Sequence, residues 1–546
     1  MGESLLRVAQ TGGVGLASVC GGVGSCGECV VRVSSGRLSE RTAQEDVALR
    51  VGDDAGGPAP GVRLACLARV VEPGEVVVEV PRRSRVGDHP SQTEALGLDL
   101  EAGDLRQGGV GLPGASAGVG AGAGPARRLG LAVDLGTTGL AAYLVDLADE
   151  SVRAATGVPN PQISFGEDVM SRLTVAITDP DRTRVMRGAL ADEVDRLVGD
   201  LCTTAGATRG DVVEAVVVGN TAMHHLFFGL PVESLAWAPY VPFEAGARSV
   251  LAESVGLRLA AGAVVSSPPV VAGFVGSDHV AMLLSSGAGS PGSITAYLDV
   301  GTNTEISLVI DGVHWTCSAA SGPAFEGAHI DAGMRAARGA IDRVGWGPEG
   351  LVVSTIDGAP AVGICGSGLV DAVAVLHAQG AVSDVGALVT GHGLVAGSGR
   401  KATIELASAA PGSARPIRLT RRDVGEVQLA KGAVRAGIKL LTEAAGIDER
   451  DIEHVVLAGA FGTYLDVGSA RAIGLIPPVA SVRQVGNAAG AGACMLLGGG
   501  RRGGGGRWAE ALALAERITY LELTGHPQFQ DRFTQALVLS DEPWSS

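Results

Sequence analysis

Aromatic residues are scarce in this 546-residue chain, at 3% Phe, Trp and Tyr. A core drawn from 46% hydrophobic residues must therefore pack small aliphatic side chains. Glycine is abundant instead, with 83 residues, which favours loops and weakens any single glycine motif as a signal. Basic charge is also short. Lys and Arg total 42 against 58 Asp and Glu, a net charge of −16. This balance excludes nucleic-acid binding through a basic footprint. No apolar run reaches the ~18–20 residues of a membrane helix, so no membrane partner is expected. The stretch 263–275 is broken by Pro268 and Pro269. Residues 1–19 lack a basic start followed by an apolar segment, so no secretory signal is read and a cytoplasmic location is expected. The eight cysteines are too few for a secreted disulfide scaffold.

Half of those cysteines nevertheless cluster. Cys20, Cys26 and Cys29 form a C-x5-C-x2-C motif, and Cys66 follows after 36 intervening residues. Three thiolates from one loop and a fourth from a distant segment are what a [2Fe–2S] cluster requires. Gly21, Gly22, Gly24 and Gly27 suit a loop whose backbone must bend around such a group. A structural zinc ion is the competing reading. It usually takes paired C-x2-C knuckles, and only one such pair exists here. Cys202, Cys317, Cys365 and Cys494 stand singly and read as small buried residues.

Three zones follow along the chain: residues 1–82 with the cysteine loop, a Gly/Ala/Pro-rich flexible linker over 83–128, and residues 129–546. The last zone repeats one unit. An apolar strand, a turn and a second strand occur at 129–144 around Asp134, Gly136, Thr137 and Thr138. The same arrangement recurs at 294–310 around Asp299, Gly301, Thr302 and Asn303. Such turns offer N–H and hydroxyl donors to phosphates, and the aspartates can hold Mg²⁺-bound water or orient an attacking water. A third strand, 455–458, runs into a turn at Gly459 and Gly462 that can lie against adenosine. Two phosphate loops followed by an adenosine loop predict two related lobes, the second beginning near 294, with a cleft between them for ATP.

That order resembles the actin, sugar-kinase and heat-shock-chaperone superfamily. Finer blocks resemble the reductive activators of corrinoid-dependent enzymes: GNTAMHHLFFGL at 219–230, SGPAFEGAHIDAGM at 321–334, ICGSGLVDAVA at 364–374, LAGAFGTYLD at 457–466 and GNAAGAGACM at 486–495. The cysteine loop resembles the same family's ferredoxin domain. The resemblance implies an α+β β-grasp ferredoxin-like domain joined to an α/β two-lobed actin-like ATPase. It implies ATP-dependent one-electron reduction of a corrinoid cobalt from Co(II) to Co(I), with a corrinoid protein or corrinoid-dependent methyltransferase as partner. An upstream electron donor and a homodimer are implied as well. Gly322, in a loop facing the nucleotide, and Lys431, on a helix near adenine or ribose, join the expected binding residues. A solvated helix lysine is the plainer reading of Lys431.

One departure concerns the start. The β-hairpin that opens such ferredoxin domains has no counterpart ahead of the helix-like segment at residue 3, so either upstream residues are missing or the sheet is truncated. Two other function classes stay open on the sequence: a nucleotide-binding redox sensor without turnover, and a small-molecule kinase with a fused ferredoxin. Adjacent His224 and His225 point differently on a helix and do not make a metal site together.

Overall fold

A computed structural model describes residues 2–12, 14–18, 20–24, 26–50, 61–71, 75–81, 84, 128–287, 292–408, 416–479, 481–498 and 506–539. The expected linker therefore lies outside the described residues, apart from Ser84 and Arg128. The chain forms two compact units, one ending at Ser277 and one beginning at Asp278. Among the described residues no helix is long and apolar enough to cross a membrane.

The first unit opens on α1 (Leu5–Thr11), whose N-cap Ser4 accepts from the Arg7 N–H at 3.2 Å. After the cysteine loop come β1 (Val30–Ser35), α2 (Ala43–Arg50), β2 (Val62–Leu64) and β3 (Val77–Glu79). β1 is the centre of an antiparallel sheet of order β2-β1-β3. Leu5, Leu6 and Leu16 pack on Val30, Val31 and Leu64. Glu45 of α2 is fully buried, accepting from Arg63 Nε and the Leu64 N–H, each at 2.8 Å. This pairing ties the helix to the strand that leads to Cys66. Among the described residues no strand precedes α1.

The same unit continues as a meander of β4 (Leu129–Leu135), β5 (Gly139–Asp146) and β6 (Val152–Pro159). β4 is buried along nearly its whole length, as its run LGLAVDL requires of a strand covered on both faces. Helices α3 (Val169–Thr178) and α4 (Pro180–Ala205) lead to β7 (Val212–Gly219), which lies parallel to β4. Asp179 caps α4, Pro180 fills its first turn and Gly206 closes it in the left-handed region. Next come α5 (Thr221–Phe228), β8 (Arg248–Leu251) and β9 (Val264–Ser267), giving the order β6-β5-β4-β7-β9-β8.

The second unit repeats this plan. After α6 (Ser277–Ser286), a meander of β10 (Ile294–Val300), β11 (Thr304–Ile310) and β12 (Val313–Ala319) forms. A small sheet of β13 (Ala340–Gly347), β14 (Gly350–Thr355) and β15 (Gly363–Ile364) precedes α7 (Gly366–Ala378). Another holds β16 (Val395–Ala396), β17 (Thr403–Ala407) and β18 (Ile417–Thr420). Then follow α8 (Arg421–Ala445), β19 (His454–Ala458), α9 (Gly459–Tyr464), α10 (Val467–Ala472), β20 (Ser481–Gln484), α11 (Ala488–Leu496), α12 (Gly506–Arg517), β21 (Ile518–Tyr520) and α13 (Phe529–Gln535). The large sheet runs β20-β19-β10-β11-β12-β21, with β19 parallel to β10 as β7 is to β4. α8 starts in a reciprocal cap between Thr420 and Asp423. It buries Val424, Val427, Val434, Ile438 and Leu441, a helical stripe, in the core that holds Ile306, Leu308 and Cys317.

Candidate cluster and nucleotide sites

The cysteine loop brings its four thiols together as two pairs. Cys20 and Cys26 Sγ atoms are 3.4 Å apart, and those of Cys29 and Cys66 are 3.2 Å apart. Two thiolates on one tetrahedral metal with ~2.3 Å bonds sit about 3.7 Å apart, so each pair matches the bite of one metal atom. Among the described residues no three His, Cys, Asp or Glu side chains are grouped around a single ion position. Two such pairs fit a two-iron cluster. Gly21, Gly22, Gly24 and Gly27 all have positive φ, between 66° and 95°. Cys29 and Cys66 are buried, while Cys20 and Cys26 keep partial exposure. Hydrogen bonding to Cys20 pushes the Cys26 thiol far up, and burial adds to it. The hydrogen bond between Cys29 and Cys66 couples their titration, and burial pushes both thiols up.

In the first unit, Asp134 is the penultimate residue of β4, which leads into the turn Gly136, Thr137, Thr138. Three side chains brace that turn. Asn160 Nδ2 donates to the Gly136 carbonyl at 2.8 Å, and Arg172 Nη2 donates to the Thr137 carbonyl at 2.5 Å. Asn220 Nδ2 donates to Thr137 Oγ1 at 2.9 Å while its Oδ1 caps α5. Asn220 falls in the block at 219–230 singled out in the sequence, whereas Asn160 and Arg172 lie outside every motif read there. Arg172 is 1% exposed, and a buried arginine in an apolar helix is a signal that only the fold reveals.

In the second unit, Asp299 near the end of β10 stands beside the Gly301, Thr302, Asn303 turn. The loop holding Gly322 folds onto this turn: the Gly322 N–H donates to the Thr302 carbonyl at 2.9 Å, and Ser321 Oγ to the Gly301 carbonyl at 3.1 Å. Thr302 Oγ1 donates to Glu326 at 2.7 Å. Phe325 of that loop stacks on Phe461 of α9, centroids 4.6 Å apart. Gly459, at φ 83°, turns so close that an added Cβ would lie 2.7 Å from Asp299 Oδ1. Gly462 gives its carbonyl to Gln484 Nε2 at 2.6 Å. Burial raises the Asp299 carboxyl to about 6. Glu305, its partner across β10 and β11, is raised further by burial and by Asp278 and Asp299. Glu305 went unremarked in the sequence, although the short turn from Asp299 to Glu305 sets the two opposite each other.

Lys431 departs from both readings of it. It is 2% exposed, and its ammonium donates to the Val538 carbonyl at 2.5 Å beneath the C-terminal segment. Burial pulls its pKa down to about 7, with Arg435 adding to the effect. It is neither a solvated helix lysine nor, in this structure, a group presented to adenine. His224 and His225 are buried in α5, their Nδ1 atoms 3.3 Å apart, and burial holds both below the usual histidine range.

Comparison with known proteins accords with this arrangement. Residues 1–71 match the 2Fe-2S iron-sulfur cluster binding domain, residues 129–289 the RACo middle region, and residues 293–545 the C-terminal domain of RACo, the ASKHA domain. The corrinoid activation enzyme RamQ of Eubacterium limosum is 33% identical over 425 residues, covering 76% of this chain and 70% of that protein. The chain belongs to the RACo family. A second relative, the [Co(II) methylated amine-specific corrinoid protein] reductase of Methanosarcina barkeri, is 28% identical over 423 residues, 71% of this chain and 73% of its own. A solved structure of a reductive activator for corrinoid, iron–sulfur protein superposes with a TM-score of 0.68 at 28% identity, covering 98% of this chain and 95% of that one. The ferredoxin-like and actin-like fold expected from the sequence is thereby the family's own.

Proposed function

We propose that this chain reductively activates a corrinoid protein, passing one electron to its cobalt so that Co(II) becomes Co(I), with ATP hydrolysis supplying the bias. The observation that carries the reading is the presence in one RACo-family chain of a two-pair thiol loop and two braced phosphate turns. When bound, a [2Fe–2S] cluster supplies a one-electron carrier; Cys20, Cys26, Cys29 and Cys66 hold it. The turns of Asp134, Gly136, Thr137 and Thr138 and of Asp299, Gly301, Thr302 and Asn303 offer donors to phosphate, and the turn of Gly459 and Gly462 suits adenosine. Asp134 and Asp299 would hold Mg²⁺-bound water and orient the attacking water. Nucleotide phosphates and water would complete the ion's oxygen shell, as is usual for Mg²⁺. Residues 83–128 give the cluster domain reach toward its partner, and a homodimer, a separate upstream electron donor and a cytoplasmic setting complete the reading.

The test is anaerobic. Chain, ATP, Mg²⁺ and a chemical reductant are mixed with candidate corrinoid proteins, and Co(I) absorbance is followed. Co(I) formation that requires ATP is expected, as is stronger stimulation of ATPase by the Co(II) form than by the methylated form. Nucleotide binding without turnover would favour a sensor, and ADP release driven by a small molecule alone would favour a kinase.

A further inference from the structure

The cluster domain lies against α3 and α4 within the first unit. Arg7 of α1 pairs with Asp179 at 3.3 Å, and Gln10, 7% exposed, donates to the Ser164 carbonyl. Arg182, on the first turn of α4, reaches into the cysteine loop and donates to the Gly21 carbonyl at 3.3 Å. Its guanidinium also lies 5.8 Å from the Phe165 ring centroid. Gly21, at φ 66°, comes so close that an added Cβ would be 3.1 Å from the Phe165 carbonyl oxygen. An added Cβ on Gly22 would touch both Arg182 Nη2, at 3.8 Å, and Cys66 Cβ, at 3.9 Å. The Arg182 guanidinium and the Cys66 side chain thus border the same glycine of the cysteine loop.

The seam is polar and incompletely filled. A cavity of about 230 Å³ sits in it, lined among others by Glu3, Arg7, Phe165 and Arg182. Such an interface resembles a transient one and suits a contact that opens and closes.

We propose that this seam is a redox-linked dock, in which Arg182 raises the reduction potential of the docked cluster and cluster reduction tightens the dock. The inference rests on the cluster reading given above. Reduction adds one electron, and so one negative charge, without making or breaking a bond. Arg182 carries its positive charge at any working pH, so it stabilises the reduced state more than the oxidised one. By reciprocity, the reduced domain holds Arg182 more tightly by the same free energy. Leaving the dock removes that charge from the cluster's surroundings. The domain is then easiest to charge while docked and is the stronger reductant once released toward a partner.

The experiment uses the full chain with its cluster reconstituted, without nucleotide or corrinoid. Dithionite-poised samples are titrated by electron paramagnetic resonance for wild type, Arg182→Gln, Arg182→Lys and Arg7→Ala. The midpoint should move to more negative potential in Arg182→Gln and less far in Arg182→Lys. Arg7→Ala, which leaves Arg182 in place but weakens the seam, should shift it in the same direction. Hydrogen exchange in α1 and the start of α4 should be slower in the reduced than the oxidised wild type, with the difference lost in Arg182→Gln. A midpoint in Arg182→Gln equal to wild type, with the cluster's visible spectrum intact, overturns the proposal, as does exchange independent of redox state. A chain that takes up no [2Fe–2S] cluster would instead sink the functional reading itself.

Discussion

Gly459→Ala asks whether the turn into α9 and the Asp299 carboxylate act as one unit. At φ 83° the turn sits where a side chain costs about 1–2 kcal/mol. The new methyl would fall 2.7 Å from Asp299 Oδ1 and 2.9 Å from the Val300 carbonyl. Overpacking of that kind costs ~1–3 kcal/mol to relieve. Together these displace the turn against a penalty of about 2–5 kcal/mol. If the start of α9 carries adenosine, ATP affinity should fall at least about tenfold, the equivalent of ~1.4 kcal/mol. Calorimetric titration with Mg²⁺ and ATP measures this in wild type, Gly459→Ala, Asp299→Ala and the double variant. Removing the carboxylate removes one of the two collisions, so the methyl should cost less in the Asp299→Ala background. Coupling of about 0.5–3 kcal/mol is the range for residues in contact. An unchanged affinity in Gly459→Ala, or a strictly additive cycle, would refute the reasoning.

Cys26→Ser breaks the more exposed thiol pair, and should leave reconstituted chain with well under two iron and two sulfide per molecule by chemical analysis; full loading would show that the pairing is incidental. Lys431 gives a pH dependence. Its value drops from an ordinary 10.5 to about 7, so the folded state prefers the neutral amine. That contribution is present above the unfolded value and is lost as pH falls toward 7, by roughly 3 kcal/mol between pH 9.5 and 7 at ~1.4 kcal/mol per unit. Thermal unfolding of Lys431→Met beside wild type should show the wild-type advantage shrinking over that range, and a constant difference would mean the ammonium is not desolvated.

The cysteine loop and the two phosphate turns were legible because each is short and contiguous, so that spacing alone sets the geometry. The repeat of strand, turn and strand foretold two related lobes, and each large sheet holds a three-stranded meander with a parallel strand beside its first member. What the sequence hid was long-range. Lys431 lies beneath a carbonyl contributed by Val538, and nothing near residue 431 signals it. Arg7 meets Asp179, and Arg182 meets Gly21, across a stretch with no local periodicity. The Asp179–Pro180 helix start could be read from sequence; its use as a docking edge could not. Glu305 is the instructive middle case, since hairpin register fixes its place opposite Asp299 whereas the equivalent partner of Asp134 is the inert Ala141.

The strand order of the second large sheet has a consequence for how the chain is made. The first sheet is finished once β9 emerges at Ser267, so that unit can close while the rest is still being synthesised. β10, however, is the inner strand of its sheet, and its neighbour β19 is not made until residues 454–458. For that interval the edge of β10 carries Ala296, Leu298 and Val300, residues that end up buried, with its backbone unpaired. Exposed strand edges of this kind recruit other chains. Stalled or prematurely ended synthesis between residues 310 and 454 should therefore yield aggregates seeded by β10.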